Sequence, residues 1–567
     1  MQLKLKNKFP LFYESKLPLV AFLATLIAST SIAYLVPFGN DTAAHLHLTE
    51  LFRLTNSLAP YDPWWYFGKV EFVGYSLAYY PLAAITNVYA PPIIALSATS
   101  AIVTWGAYRK NSYGKPAKAR TRDRAKLYGF TFICSVNLAG LMLTGAYPFL
   151  SSLPFFALAS LMLNRRRNAL CYSFLIVIGS LFSIIATLWI GTLALAIAIT
   201  RLIYKTSTAK ASAKYLLTKI SPLIVVAIAE LLSTRNLFPK GSYPFYLSDL
   251  LELSIFLALI ALYSLRNSGI DVAIAAAMYF IGAVVNFAFV QSSLGGNIAR
   301  IGEFAPTITA ALVLLKNPFS ESRYASRDST QTPAPAIARV KGSTEVVSWS
   351  ILVIAALGSI FWFGSFTSEP LTDPGTAYLQ SSSNWIKLAS KLHSVYGNQR
   401  VEYVDTALHE GAYFLPKYRI AIARGWFRQS DQPDNALFYA SKSTFSKDYK
   451  SWLCSYDIAA VILPPGPYDY SSEQEAHLVV GGASYLKPSS TIGRFQIFSV
   501  TGCSSHTKVE VYPNSFQVTS AKEDVSGTIP IHFASQLHPS APVVISEQAG
   551  LVAVHHSISR SVTIAFK

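Results

Sequence analysis

Residues 17–37 read LPLVAFLATLIASTSIAYLVP, a run without a single charged residue. As an α-helix this run extends about 30 Å, which is the thickness of the hydrocarbon core of a bilayer. Lysines at positions 4, 6, 8 and 16 precede it, and no convincing small-residue cleavage site follows it. The segment therefore predicts a retained signal anchor that spans a membrane.

The composition excludes several classes of protein. The chain has 567 residues, of which 52% are hydrophobic and only 14% are charged, and its mean hydropathy is +0.35. Soluble domains contain about 25% charged residues, so the shortfall excludes an ordinary soluble protein. An aromatic content of 13% excludes intrinsic disorder. Four cysteines are too few for a disulfide-rich scaffold.

Eleven apolar segments qualify as candidate membrane spans. The sequence therefore predicts a polytopic α-helical membrane protein with about eleven spans. Two segments are the weakest, because one continues its neighbour and the other is short; these are 187–204 and 303–316. The full set is 17–37, 78–108, 127–145, 148–164, 168–186, 187–204, 219–234, 248–266, 271–291, 303–316 and 346–365.

The lysine and arginine residues predict the orientation of the chain. Loops on one side of the predicted spans contain 26 of the 47, and the opposite loops contain 5. Loops rich in Lys and Arg remain in the cytoplasm. With an odd number of spans, the N-terminus is then cytoplasmic, and the large C-terminal region lies outside the plasma membrane.

The net charge of +17 is explained mostly by this topology. The basic run 109–126 has an alternative role in contacting RNA or anionic lipid, but a cytoplasmic orientation loop is the simpler interpretation. Neither G-x-x-x-x-G-K-[ST] nor a strand followed by G-x-G-x-x-G occurs. We therefore expect membrane lipid, and no nucleic acid, as a partner. The oligomeric state stays open.

The pattern of the chain predicts three domains. Residues 1–366 form the transmembrane domain, which includes a first external loop at 39–76. In 367–503, helical and strand-like stretches alternate, and this predicts an extracytoplasmic α/β module with partly parallel strands. Residues 504–567 contain short β-rich runs between turns, and these predict a small β-sandwich.

Cys454 and Cys503 both lie in the predicted external region. Two alternatives are open for them. One is a disulfide in an oxidising compartment, and the other is a pair of buried free thiols. The sequence does not supply the Cα separation that decides between the two.

Asp41 is the strongest catalytic candidate in the first external loop. Asn40 or Asp41 can cap a helix that starts at Thr42, and capping alone is one interpretation. The other follows from its place at the membrane boundary. A carboxylate that is partly desolvated there has a shifted pKa and can accept a proton.

Three further polar residues follow Asp41 in this helix. His45, His47 and Glu50 complete the pattern D-x3-H-x-H-x2-E, whose side chains suit a divalent metal ion. His45 and His47 point to different helical faces, however, so a metal site that uses both is a weak prediction. The alternative for His45 and Glu50 is to orient the carboxylate of Asp41.

Aromatic residues dominate the rest of the loop. The stretch YDPWWYFG at 61–68 includes Trp64 and Trp65, and Tyr79 and Tyr80 precede a proline at the next span. An interfacial aromatic belt explains this composition. Because aromatic faces also stack on sugar rings, the four residues are candidate substrate-binding groups.

Arg300 is the best external cation near the predicted membrane boundary. It lies within GGNIARIGE at 295–303, beside the apolar run 304–315. Ionic groups next to a span are costly unless they are paired or solvated. An Arg300–Glu303 pair at i, i+3 and the binding of a substrate phosphate are the two open interpretations.

These motifs resemble a known family. The stretch from Asp41 to Glu50, the WWYFG turn at 64–68 and the YYP at 79–81 resemble the first external loop of polytopic GT-C glycosyltransferases. They are most similar to prokaryotic membrane proteins labelled "6-pyruvoyl-tetrahydropterin synthase-related", a domain name and not an activity. The stretch RGWFRQ at 424–429 is similar to a Gly-Trp-aromatic turn in that group's external domain.

The resemblance implies a GT-C-like fold and a membrane glycosyltransferase. Such an enzyme transfers a sugar from a polyprenyl-phosphate donor to an extracytoplasmic glycan or protein acceptor, with inversion and with Asp41 as the base. Oligosaccharyltransferases have a Trp-Trp-Asp-Tyr-Gly motif in their soluble domain. Here the tryptophan pair lies in the first loop, and Tyr66 stands where Asp would. The sequence therefore does not predict an oligosaccharyltransferase.

Two other functions compete with the enzymatic interpretation. The first is a non-catalytic membrane anchor whose external region binds a surface polymer or protein partners. The second is a transporter, which ranks lower because the sequence has no two similar halves. A cavity at Asp41 that is open to both lipid and the outside would favour the enzyme over the anchor, whereas an Asp41 held in a helix cap with no cavity would favour the anchor.

Overall fold

The computed structural model describes most of the chain. The described residues are 16–36, 39–70, 76–112, 117–163, 169–203, 209–234, 244–266, 270–289, 295–314, 373–504, 507–521, 524–540, 543–555 and 559–566. The predicted span 346–365 lies outside them. The described part consists of an apolar helical region, up to residue 314, and an α/β and β-rich region from residue 373.

Thirteen α-helices make up the described helical region. The apolar ones expose many large aliphatic side chains, as helices that face lipid do. Their bounds are α1 Leu17–Leu35, α2 Thr42–Thr55, α3 Tyr79–Ile85, α4 Ala90–Ser112, α5 Ala117–Gly140, α6 Tyr147–Met162, α7 Ala169–Phe182, α8 Ile185–Ile203, α9 Ala209–Lys219, α10 Ser221–Thr234, α11 Leu247–Arg266, α12 Ile270–Phe289 and α13 Ala305–Leu314. Two 3-10 helices are Leu141–Thr144 and Gly295–Phe304.

The prediction of eleven spans is wrong in its count. Six segments of the described residues are both long and apolar enough to cross a membrane. The other predicted spans that fall on described residues form helices of 10 to 16 residues. At 1.5 Å per residue such helices are shorter than the hydrocarbon core. The six are 17–35, 90–109, 126–144, 185–203, 247–265 and 270–289.

The first external loop connects the two regions. It contains α2 and a short antiparallel ladder of β1 Tyr61–Asp62 and β2 Lys69–Val70. Between the strands, Tyr66, Phe67 and Gly68 all have left-handed backbone conformations. The turn is buried in the C-terminal region, where the Trp65 indole donates a hydrogen bond to the carbonyl of Ala412 at 2.9 Å.

A mixed α/β module follows residue 373. Its four-stranded sheet has the order β3-β4-β6-β5, with β3 and β4 parallel and the other pairs antiparallel. The strands are β3 Val401–Tyr403, β4 Ala460–Leu463, β5 Leu486–Ile492 and β6 Phe495–Val500. The helices are α14 Pro374–Leu379, α15 Ser382–Tyr396, α16 Glu410–Lys417, α17 Arg428–Asp434, α18 Lys442–Ser455 and α19 Glu473–Val480, with a 3-10 helix at Ala436–Tyr439.

The C-terminal segment forms two antiparallel sheets. One has the order β10-β13-β8-β7 and the other β11-β12-β9. Alternate residues of β13 are buried, which is the pattern of a strand with one face on a core. The strands are β7 Thr507–Tyr512, β8 Ser515–Ser520, β9 Gly527–His532, β10 Leu537–Pro539, β11 Val544–Gln548, β12 Leu551–His555 and β13 Ser561–Phe566.

Of the two alternatives for Cys454 and Cys503, the structure has the disulfide. Their Cα atoms are 5.2 Å apart. The bond connects the end of α18 to the segment after β6, across 49 residues of sequence. It therefore ties the helical layer of the α/β module to the point where the chain enters the β-rich segment.

Candidate active site

Asp41 lies at the start of α2 but does not cap it. Its side chain makes no capping hydrogen bond, and only 8% of the residue is exposed. One carboxylate oxygen, Oδ2, lies instead 3.4 Å from Nη2 of Arg300. The interpretation of Asp41 as a mere helix cap does not fit this geometry, because its charge is used in an ion pair.

Arg300 contacts two further acceptors besides Asp41. Its Nε donates to Oδ1 of Asn297 at 2.6 Å, and its Nη1 lies 3.6 Å from Oε1 of Glu303. The predicted i, i+3 pair is thus present. Asn137 of α5 fixes this segment by donating to the backbone carbonyl of Glu303 at 2.9 Å. One guanidinium is therefore shared by two carboxylates.

Burial shifts the proton affinity of both carboxylates. Desolvation raises the pKa of Asp41 above its ordinary value, and the opposing effects of Arg300 and His409 are smaller. Desolvation likewise raises the pKa of Glu303 to about 7; Arg300 opposes this shift and Asp41 adds to it. Both groups consequently hold a proton more readily than a carboxyl in water does.

Asp41, Arg300 and Glu303 line a cavity of about 330 Å³. It lies where the apolar helices meet the C-terminal region, because both regions contribute to its wall. The helical region contributes Asn40, Asp41, Tyr246, Asp249, Asn297, Arg300 and Glu303. The C-terminal region, which is the one predicted to be external, contributes Ala407, His409, Trp426, Arg428, Asp469 and Tyr470.

A second set of ionic groups forms the external side of this cavity. Nδ1 of His409 lies 2.6 Å from Oδ2 of Asp405, and Nη2 of Arg428 lies 2.5 Å from Oδ2 of Asp469. Burial lowers the pKa of His409, but the charge and hydrogen bond of Asp405 outweigh it, so the net pKa is raised. Burial raises the pKa of Asp469, and Arg428 reverses this effect.

His45 contacts tyrosines near Asp41. Its Nδ1 lies 3.0 Å from the hydroxyl of Tyr80, and its ring packs edge-on against Tyr79. Desolvation, assisted by Arg300, lowers the pKa of His45 to about 3. The imidazole is therefore neutral at physiological pH, and it packs behind Asp41 instead of bearing a charge.

His47 points elsewhere and binds a different partner. Its Nε2 lies 2.6 Å from Oδ2 of Asp62, and its ring stacks on Trp65 at 4.2 Å between centroids. Among the described residues, no group of three or more His, Cys, Asp or Glu side chains is arranged to hold a metal. A divalent ion at His45 and His47 stays a prediction.

Glu50 is not brought to the cavity. Nine residues of helix separate it from Asp41, which is about 13 Å along the axis. Its carboxylate pairs with Arg53 at 3.3 Å on the surface, where half of the Glu50 side chain is exposed. The predicted role of Glu50 in orienting Asp41 is therefore not what this structure favours.

The aromatic candidates pack inside the protein. Trp65, Tyr79 and Tyr80 are fully buried and Trp64 nearly so. The carbonyl of Trp64 accepts a hydrogen bond from the Ile422 amide, so the turn is fixed against the external region. All four rings are covered by protein here. Trp64 and Trp65 pack at the joint between the two regions, whereas Tyr79 and Tyr80 contact His45 within the helical region.

Asp405, His409, Arg428 and Asp469 were not predicted as site residues. Asp405 ends the strand-like stretch RVEYVD at 400–405, and His409 follows it at i+4, which is a pattern that also occurs in an ordinary α/β module. One usable signal was present: Trp426 lies in the 424–429 motif, and its indole donates a hydrogen bond to the carbonyl of Asn40 at 2.9 Å. The residue beside Asp41 is thus held by that motif.

Comparisons with known proteins give few matches. No family model matches the chain. No curated protein matches it either. The resemblance to the group labelled "6-pyruvoyl-tetrahydropterin synthase-related" therefore stays a prediction.

Two solved structures are similar to the chain over most of its length. One is the Archaeoglobus fulgidus oligosaccharyltransferase tethered to an acceptor peptide, with 12% identity and a TM-score of 0.38 over 87% of this chain and 75% of that one. The other is archaeal oligosaccharyltransferase AglB from the same organism, in complex with an inhibitory peptide and a dolichol-phosphate. Its sequence identity is 11% and its TM-score is 0.37, over 78% of this chain and 69% of that one. TM-scores below 0.5 do not establish a shared fold, so the proposals below rest on the site itself.

Proposed function

We propose that the chain is a membrane glycosyltransferase that moves a sugar from a polyprenyl-phosphate donor to an extracytoplasmic acceptor, with inversion. One observation supports this most: the buried Asp41 carboxylate lies beside Arg300 on a cavity between apolar helices and an external region. A lipid-linked donor and a water-soluble acceptor must meet at such a boundary.

Asp41 acts as the base in this proposal. Its pKa is raised by desolvation, and a base is most effective when its pKa is near the working pH. The acceptor hydroxyl gives its proton to the Asp41 carboxylate as its oxygen attacks the anomeric carbon. The bond from that carbon to the phosphate oxygen breaks on the opposite side, which inverts the configuration.

Arg300 binds the donor phosphate. Negative charge develops on the phosphate oxygen as the bond to the sugar breaks, and a cation in a water-poor site stabilises that charge. The Arg300 side chain is 13% exposed and lines the cavity, so a phosphate in the cavity can approach the guanidinium. Glu303, as its partner, sets the position of the guanidinium.

Replacing Asp41 by asparagine tests the proposal. Asp41→Asn keeps the shape of the side chain but removes the base, and loss of a general base lowers the rate by about 10²–10⁴-fold. Surface glycans of cells with the variant should lose the transferred sugar in mass analysis. The purified variant should unfold at the same temperature as the wild type.

The matched control is Asp249→Asn, since Asp249 lines the same cavity and its carboxylate accepts a hydrogen bond from the amide of Tyr246 at 3.3 Å. It should reduce transfer far less than Asp41→Asn. An unchanged glycan profile in Asp41→Asn cells would contradict the assignment. That result would favour the alternative of a non-catalytic anchor.

A further inference from the structure

The external side of the cavity contains a buried carboxylate–imidazole pair. Asp405 accepts hydrogen bonds from two groups, His409 Nδ1 at 2.6 Å and the amide of Thr406 at 2.9 Å. The carboxylate therefore fixes both the tautomer and the orientation of the ring. Its own position is set by the loop near residue 469, whose Asp469 amide donates to the Asp405 carbonyl at 3.0 Å.

The second nitrogen of His409 is directed into the cavity. Because Nδ1 is turned to Asp405, Nε2 lies on the other side of the ring, and the residue lines the cavity while being only 6% exposed. His409 has a left-handed backbone, with φ of 56°. Such a conformation is uncommon for a residue with a side chain, and its cost is tolerated mostly where it places a functional group.

Aromatic rings continue this wall. Trp426 connects its two sides, since its indole donates to the carbonyl of Asn40 while its ring lies 6.1 Å from that of His409. Tyr246 and Tyr470 are about half exposed at the rim, in contrast to the buried rings of the first loop. Asp469 adds an acceptor that Arg428 holds in place.

We propose that this wall binds the acceptor and that the acceptor is a saccharide. In this proposal, which rests on the proposed function, one sugar hydroxyl faces Asp41 and reacts, while a neighbouring hydroxyl forms a hydrogen bond with Nε2 of His409. The ring of the sugar lies against Tyr470. His409 is a positioning residue here, because it holds the acceptor and does not take the reacting proton.

The chemistry of the wall favours a polyol over a peptide amide. With its Nδ1–H bound to the Asp405 carboxylate, His409 presents Nε2 to a hydroxyl group, which accepts a hydrogen bond from Nε2–H of the imidazolium and donates one to the lone pair of the neutral ring. Fixed carboxylates such as Asp469 suit additional hydroxyls, and charge-assisted hydrogen bonds are the stronger ones. Aromatic surface at the rim then covers the apolar face of a sugar ring.

Binding of simple sugars to the full chain tests the proposal. The protein is placed in lipid nanodiscs without glycosidic detergent, and saturation-transfer difference NMR is recorded with methyl glycosides of glucose, galactose, mannose and N-acetylglucosamine. The peptide probe is acetyl-Asn-Ala-Thr-amide. We expect at least one glycoside to receive saturation and the peptide to receive none.

Matched variants locate the binding. His409→Asn keeps a residue that tolerates a left-handed backbone and removes the imidazole, so it should weaken glycoside binding by about tenfold. Tyr470→Ala should weaken it similarly, whereas Tyr470→Phe retains the ring and should bind normally. His393→Ala, on α15 away from the cavity, is the control and should bind as the wild type does.

Asp41→Asn separates this inference from the proposed function, because it should abolish transfer and retain glycoside binding. Equal glycoside binding by wild type, His409→Asn and Tyr470→Ala would overturn the acceptor site. So would binding of the peptide alone, or of none of the glycosides. If Asp41→Asn cells keep their glycans while the variants still lose binding, the proposed function fails and the sugar site stands.

Discussion

At the residue scale, the site depends on one guanidinium between two carboxylates. Arg300 lies 3.4 Å from Asp41 and 3.6 Å from Glu303, and all three residues are largely buried. One positive charge cannot neutralise two ionised carboxylates in a low-dielectric site, so one acid is protonated more readily than usual. Desolvation raises the pKa of Glu303 to about 7, and it raises the pKa of Asp41 as well.

The titration of Glu303 predicts a pH-dependent stability. Its pKa is higher in the folded protein than its ordinary 4.5, so the folded state binds the proton more tightly. The contribution of protonated Glu303 to stability is complete below pH 4.5 and is lost as the pH rises through about 7. Glu303→Gln stays neutral throughout. It should match the wild type near pH 4 and exceed it near pH 8 by about 3 kcal/mol in free energy of unfolding.

Thermal unfolding of both proteins at the two pH values measures this difference. Glu473→Gln, at an exposed position of α19, is the control and should differ from the wild type equally at both. Parallel curves for Glu303→Gln and the wild type would show that Glu303 does not titrate in this range.

The sequence identifies three cavity residues of the helical region as candidates, but it does not show that these residues lie together. Asp41, Arg300 and Glu303 were identifiable because ionic groups next to apolar runs are costly and need a reason. Their contact was not identifiable, since 259 residues separate Asp41 from Arg300. His409 gave no such signal, because a histidine in a soluble α/β segment has many ordinary roles.

At the element scale, the aromatic turn and the 424–429 motif fit together closely. Gly425 lies against the Trp65 indole, and a methyl group at this glycine would come within 2.7 Å of the ring. The neighbouring Tyr66 hydroxyl donates to the carbonyl of Phe427 at 2.9 Å. Glycine is required here because of close approach and not because of its backbone freedom.

Gly425→Ala is therefore expected to loosen the joint between the two regions. Overpacking of this kind costs about 1–3 kcal/mol. We expect a lower unfolding temperature for the variant than for the wild type. The control is Gly282→Ala in α12, where the added methyl group has nothing within 4 Å. Equal behaviour of the two variants would contradict the proposed fit.

Apolar length explains why the elements were predicted well but the spans were not. Each predicted span on described residues contains a helix, because hydrophobicity and the absence of breakers are local properties. Whether a helix crosses a bilayer depends on its uninterrupted length. The break at 86–89 divides the predicted span 78–108 into α3 and α4, and α4 begins with Pro91 and Pro92 in its first turn.

At the scale of the whole molecule, the proposed function requires Asp41 and the C-terminal region to lie on the extracytoplasmic side of the membrane. The cavity contains residues of both, so Asp41 and the external region share one side. The disulfide between Cys454 and Cys503 requires an oxidising compartment, and the concentration of basic residues in the opposite loops gives the same orientation. The two arguments are independent, because one uses redox chemistry and the other uses charge.

Cysteine labelling with a membrane-impermeant maleimide tests this orientation. In a Cys171→Ser background, which removes the exposed free thiol, Ser394→Cys on α15 should react in intact cells. Arg124→Cys, near the opposite end of α5 from the cavity, should react only after the membrane is permeabilised. Residue 394 protected in intact cells and residue 124 labelled would place Asp41 in the cytosol. A donor that presents its sugar outside could not then reach the base, and the transfer proposed here would be excluded by geometry alone.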